Sequence, residues 1–152
     1  MIRKLAVGVL LLGVVGVVMG AVFIGLGVAR NNELKEAMRV EHVSLGIEAA
    51  EGKGQVIDSL GEAKEAGDTI REHRRGIATT YEDLLGGGRF DPTDPKQLTY
   101  AQALNLENYL YLAVLGFGVT DVVIATGVFM ILMGIALSGA GVTLLALARR
   151  AS

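Results

Sequence analysis

The sequence predicts a mainly α-helical membrane protein with two spans, a long C-terminal helix, and a small extracytoplasmic α+β insertion made of a hairpin and short helices. Three observations predict it. Leu5 to Val28 is a run of 24 residues without a charge, and Tyr109 to Ala148 is a run of forty in which Asp121 is the single charge. The segment between the runs, residues 30–108, holds ten Lys or Arg and fifteen Asp or Glu and so belongs in water. An α-helix rises about 1.5 Å per residue, so roughly 20 residues cross a hydrocarbon core about 30 Å thick. The chain divides accordingly into an N-terminal transmembrane helix over 1–30, a small polar domain over 31–98, and a helix over 99–150 that spans the membrane in its second half.

Arg3 and Lys4 precede the first run, and Arg149 and Arg150 follow the second. By the positive-inside tendency both termini are expected in the cytoplasm of a cell-membrane protein, with residues 31–127 largely extracytoplasmic. The acidic middle excludes a nucleic-acid surface. A chain without cysteine has neither disulfides nor thiolate metal sites. Gly27-Val28-Ala29 has the small-x-small pattern of a cleavage site, but 24 apolar residues exceed the roughly 7 to 15 of a cleavable signal, so an uncleaved signal-anchor is expected.

Beyond the first run, Asn31 to Arg39 mixes good helix formers with charges and has no breaker, so the first helix should continue to about Arg39. Val43, Leu45 and Ile47 alternate with Ser44 and Gly46, and Gln55-Val56-Ile57 offers a partner across the Gly52 to Gly54 turn, which predicts the hairpin. Ser59-Leu60-Gly61-Glu62 fits a capping box and should open a helix. Its apolar stripe is Leu60, Ala63, Ala66 or Gly67, and Ile70, with Arg71, Glu72, Arg74 and Arg75 on a solvated face. A shorter helix from about Thr80 should bury Tyr81, Leu84 and Leu85 and stop at Gly86-Gly87-Gly88. Asp91-Pro92-Thr93-Asp94 reads as turns, lacking the later ligands of a calcium loop.

Thr99-Tyr100-Ala101-Gln102 is a second capping-box match, and no proline follows it. One unbroken helix from there to Arg149 would be about 75 Å long. The rival is a membrane hairpin turning near 116–121 or 138–141, which separates Arg149 and Arg150 from the basic N-terminus. The long helix is therefore preferred. Counting back from Arg149, the hydrocarbon would hold about residues 128–148 and leave Asp121 about 10 Å above it. Tyr100, Tyr109 and Tyr111 are then expected to pack against the small domain.

Small residues recur every seven positions: Ala6, Gly13, Gly20 and Gly27 in the first run, and Ala113, Thr120, Gly127, Gly134 and Gly141 in the second. Gly16 with Gly20 adds a GxxxG pair. Helices in lipid associate through van der Waals contact, and small residues on one seam let backbones approach, so these glycines are the expected helix-packing residues. Asp121 is the candidate functional carboxylate, because an ionisable group in an apolar run is a functional hypothesis by default. His42 and His73 each follow a glutamate, but two histidines do not supply three or four convergent metal ligands. No nucleophile-base set, phosphate-cradling motif or cofactor fingerprint occurs, so no catalytic, cofactor or metal residues are expected.

The arrangement resembles a family of small, uncharacterised two-span bacterial membrane proteins, on the residues Ala66 to His73 and on the passage from Ala101-Gln102-Ala103-Leu104 through Leu115-Gly116-Phe117-Gly118-Val119 to Gly127. The resemblance implies one N-terminal span, a short outer domain and a long C-terminal helix. Some members carry the label of aromatic ring-opening dioxygenase. That activity needs an open iron site with about three convergent ligands, which these residues do not offer. The expected function is a non-enzymatic structural or accessory subunit that self-associates or docks on other membrane-protein subunits through its glycine-striped helices, with the lipid bilayer as its medium. The alternative is a small transport or ion-coupled component using Asp121.

Overall fold

A computed structural model describes residues 2–41 and 56–150. Four helices account for nearly all of them: α1 (Ile2–Val40), α2 (Leu60–Ile77), α3 (Tyr81–Leu85) and α4 (Pro95–Arg150). α1 and α4 are long and apolar enough to cross a membrane, so the chain has two long apolar helices compatible with a membrane location. α4 is continuous, with no membrane hairpin at 116–121 or 138–141. The chain forms two compact units, one from Met1–Asn32 with Val119–Ser152 and the other from Glu33–Gly118.

In the first unit α1 runs antiparallel to the C-terminal half of α4. Gly27 meets Thr120 and Ile124, Gly20 meets Gly127 and Ile131, and Gly13 meets Gly134 and Ser138. Each step of seven along α1 is matched by a step of seven back along α4, the spacing at which an α-helix keeps one seam facing a neighbour with a slight left-handed crossing. Away from this seam, large side chains such as Leu11, Leu12, Phe129 and Leu132 are exposed. That distribution suits lipid as solvent, since in water such a surface would drive aggregation.

The second unit packs α2 and the end of α1 on the N-terminal half of α4. Ile57, Ala63, Ala66, Leu110, Ala113 and Phe117 form its buried core, with Leu34, Met38, Leu60, Ile70 and Val114 against it. α2 begins at Ser59, whose hydroxyl accepts from the Glu62 backbone N–H at 3.3 Å. The Glu62 carboxylate reaches one residue further back than a simple box requires, accepting from the Asp58 N–H at 2.9 Å. Thr80 and Asp83 form a reciprocal capping box at α3, and Gly86 ends that helix at φ 57°, a left-handed conformation that glycine adopts without a Cβ penalty. Asp91 accepts from the Thr93 N–H at 2.8 Å, an Asx turn.

The described residues do not show the hairpin of the expected α+β insertion. Val43, Leu45, Ile47 and Gln55 lie outside the described residues. Among the described residues there is no strand, only a single bridge at Val56, and Ile57 is buried in the helical core. The start of α4 also moves: it begins at Pro95, with Asp94 as cap, its carboxylate accepting from the Lys96 N–H at 2.8 Å. Asp followed by Pro outcompetes the later Thr99 signal, because Asp is a strong N-cap and Pro is suited to the first helical position. Thr99 instead donates its hydroxyl to the Pro95 carbonyl inside the helix.

Candidate functional site

Two groups of residues stand out, one in each unit. The first is the glycine seam between α1 and α4. A methyl group added at Gly20 would lie 2.6 Å from the Gly127 carbonyl oxygen, at Gly127 2.7 Å from the Gly20 oxygen, and at Gly134 2.6 Å from the Gly13 oxygen. At Gly13 it would meet the Gly134 oxygen at 2.6 Å, at Gly27 Ile124 Cγ1 at 2.6 Å, and at Gly141 the Leu10 backbone nitrogen at 2.8 Å. Gly16 is somewhat looser, 3.3 Å from Gly134 Cα. No side chain fits at most of these positions without parting the helices. By contrast Gly8, Gly25 and Gly139 face open space. The seam is thus an intramolecular one, and its glycines are occupied by this chain's own second helix.

At one end of the seam the Asn31 side-chain amide donates to the Thr120 hydroxyl at 3.0 Å. Arg30 and Asp121 flank this bond in sequence, and both are exposed. Asp121 therefore sits where the apolar pairing of the two helices gives way to polar residues, not in its middle. The uncharged stretch Leu5–Val28 of α1 lies against the part of α4 from about Thr120 onward, a length of about 36 Å by helical rise.

The second group is a polar cluster on α2 and α4. Arg74 expected on the solvated face is instead 8% exposed. Its Nε donates to the Glu107 carboxylate at 2.6 Å, its Nη1 donates to the Tyr100 hydroxyl, and the guanidinium lies 4.9 Å from the Tyr100 ring centre. The bond to Glu107 raises the Arg74 pKa above its ordinary value, so the guanidinium keeps its charge. Nearly two turns back along α2, Asp68 accepts from Lys64, from Arg71 and from the Tyr111 hydroxyl, each at 2.6 Å. Lys64 first and Tyr111 second hold the Asp68 carboxyl below its ordinary range. Burial, then the bond to Asp68, pushes the Tyr111 phenol up. Spacing carried a signal for Arg74: it lies four residues after Ile70, on the continuation of the Ala63, Ala66 and Ile70 stripe.

The three tyrosines part company. Tyr100 is buried and Tyr111 is bonded to Asp68, whereas Tyr109 is 61% exposed and does not pack on the domain as expected. No residue of α3 is buried, and Tyr81 is exposed with its ring 6.2 Å from that of Tyr100. A five-residue helix is too short to hold three apolar side chains against the core. His73 is exposed, His42 lies outside the described residues, and among the described residues no group of three or more potential metal ligands converges.

One further surface is apolar without being covered by any described residue. On the N-terminal half of α4, Leu112 and Leu115 are 60% and 62% exposed, beside the exposed Asn105 and Asn108. Comparison with models of known protein families, with curated proteins and with solved structures finds no match.

Proposed function

We propose that this chain is a non-enzymatic integral membrane protein that serves as a structural or accessory subunit of a larger membrane assembly. The observation that carries this reading is the exposure of Leu112, Leu115 and Tyr109 in the unit that also holds the charged helix α2. Large apolar side chains kept in water cost about 25 cal/mol for each Å² exposed, and a run of them on one helix face marks an interaction surface. The glycine stripes support the reading indirectly. They are used inside the chain, so association with other subunits has to employ a different surface from the one the sequence suggested.

Both termini belong on the cytoplasmic side, since Arg3, Lys4, Arg149 and Arg150 cluster by sequence at the same ends of the two paired helices. The Asn31–Thr120 bond supports an outer boundary near residue 120, which draws the extracytoplasmic segment in from 31–127 to about 31–119. The resemblance to two-span bacterial membrane proteins agrees with this plan. Asp121 at that boundary supports a solvated or interfacial carboxylate, and favours the subunit reading over ion coupling through the bilayer.

Gentle extraction from membranes into amphipol or native nanodiscs, followed by mass measurement, tests the proposal. A particle larger than one 16.0 kDa chain is expected. A stable monomer in which a cysteine at position 112 reacts freely with a membrane-impermeant thiol reagent would sink it.

A further inference from the structure

The first unit carries its charge unevenly. Its sequence, Met1–Asn32 with Val119–Ser152, holds the cations Arg3, Lys4, Arg30, Arg149 and Arg150, and the single acidic side chain of Asp121. The antiparallel pairing gathers all of these cations but Arg30 at one end. Gly27 lies against Thr120, Gly20 against Gly127, Gly13 against Gly134, and Leu10 against Gly141. Continued to the end of the pair, this register brings Arg3 and Lys4 level with the last two turns of α4, which close on Arg149 and Arg150. By helical rise the four charges fall within about 10 Å along the pair, whereas Asp121 is about 42 Å from Arg149. Screening at physiological salt limits such interactions to about 8 Å, so Asp121 does nothing to balance this end.

Apolar side chains fix the level at which these charges sit. Ile2, Leu5 and Leu147 are exposed within two residues of Arg3, Lys4 and Arg149, and Ala6, fully buried, continues the seam between the helices. Arg3, Lys4, Arg149 and Arg150 are themselves exposed. In a bilayer the exposed leucines belong among acyl chains, and a Lys or Arg beside them extends its apolar stem to the headgroup layer. We infer that this end of the helix pair binds the phosphate headgroups of anionic phospholipids in the leaflet at which it ends, with Arg3, Lys4, Arg149 and Arg150 as the binding cations. The inference rests on the membrane reading above and adds the ligand of its basic end. Four or more Lys and Arg clustered at the end of membrane helices attract anionic lipid, and the guanidinium fork matches phosphate oxygens in pairs. A zwitterionic headgroup brings its own ammonium with its phosphate and relieves the mutual repulsion of the cations less. Free phosphate shares the chemistry, but a lipid delivers its phosphate at the level of the cations while its chains cover Ile2, Leu5 and Leu147.

The test uses the full-length protein in a mild non-ionic detergent, titrated with phosphatidylglycerol or phosphatidylcholine of the same acyl chains, with bound lipid counted by native mass spectrometry. Phosphatidylglycerol is expected to be retained at least about fivefold over phosphatidylcholine. Arg149→Gln with Arg150→Gln, which leaves Arg3 and Lys4 to orient the first helix, should bring the ratio below about twofold, while Arg149→Lys with Arg150→Lys should preserve it, since the attraction follows charge. Arg30→Gln, at the other end of the same pair, should leave it unchanged. Equal retention of the two lipids, or a Gln pair no weaker than the native protein, overturns the inference, as does a Lys pair as weak as the Gln pair. Displacement of phosphatidylglycerol by an equal concentration of inorganic phosphate would assign the cations to a free anion and overturn the lipid assignment. Alkaline extraction of membranes separates this failure from that of the reading beneath it: a chain that stays in the pellet yet shows no lipid preference loses only the headgroup site, and a chain released into the supernatant loses both.

Discussion

Arg74 shows how a single residue can be misjudged by its chemistry and placed correctly by its position. It sits on the α2 stripe, and its stem and guanidinium are covered because Glu107 and Tyr100 on α4 supply a carboxylate, a hydroxyl and a ring face. Removing one member of a buried pair leaves the other uncompensated. Arg74→Met should therefore cost about 3–5 kcal/mol, whereas the double variant Arg74→Met, Glu107→Leu should recover much of it. Thermal unfolding in detergent, followed by circular dichroism, reads both, and a double variant no more stable than the single would show that the ion pair is not what holds α2. The Asp68 and Tyr111 pair makes the same contact sensitive to pH. Asp68 has its pKa lowered from 3.8, so its contribution is present above that value and lost as the pH falls through the folded-state pKa. Tyr111 has its pKa raised from 10.0, so its contribution is present below 10 and lost as the pH climbs past the folded-state pKa. Asp68→Asn should flatten the acid limb of a stability profile. An unchanged limb would assign acid sensitivity elsewhere.

At the scale of elements, the glycines divide into two sets that composition treats alike. Gly20 and Gly127 stand against each other's carbonyl oxygens, while Gly8 and Gly25 have nothing within 4 Å. Gly20→Ala should force α1 and α4 apart and destabilise the pair by about 1–3 kcal/mol, the usual cost of overpacking. Gly8→Ala and Gly25→Ala should be neutral or stabilising by about 0.5–1 kcal/mol, because alanine is the better helix former. Resistance to thermal unfolding and to protease in detergent separates the sets; a Gly25→Ala variant as damaged as Gly20→Ala would mean that the outer glycine is covered by something else. The element boundaries follow local chemistry in the same way. Ser59, Thr80 and Asp94 each satisfy free backbone N–H groups at a helix start, and the Asp94-Pro95 pair explains why α4 begins before Thr99.

For the whole molecule the proposed membrane placement turns on where the hydrocarbon would end on α4. On that proposal, counting twenty residues back from Arg149 would put the edge near 128, whereas pairing with α1 would put it near 120, because Asn31 bonds Thr120 and the charge-free part of α1 ends at Val28. A cysteine scan with a membrane-impermeant reagent should label Asp121→Cys and leave Ala125→Cys and Val128→Cys protected. Labelling that persists to 128 would restore the shorter span and lengthen the exposed part of α4 by about 12 Å.

From the sequence alone one could read two long apolar helices, the end of α1 near Arg39, the starts of α2 and α3 at Ser59 and Thr80, and the sevenfold recurrence of small residues. Each of these depends on composition, period or capping within a few residues of chain. What only the tertiary structure decided is which surfaces those patterns meet: that the glycines face the chain's own second helix, that Arg74 goes inward while Tyr109 stays out, and that Asp121 lies at the end of the apolar pairing. These depend on contacts between residues as far apart as Asn31 and Thr120, and the period of a helix states that a face exists without naming what will lie against it.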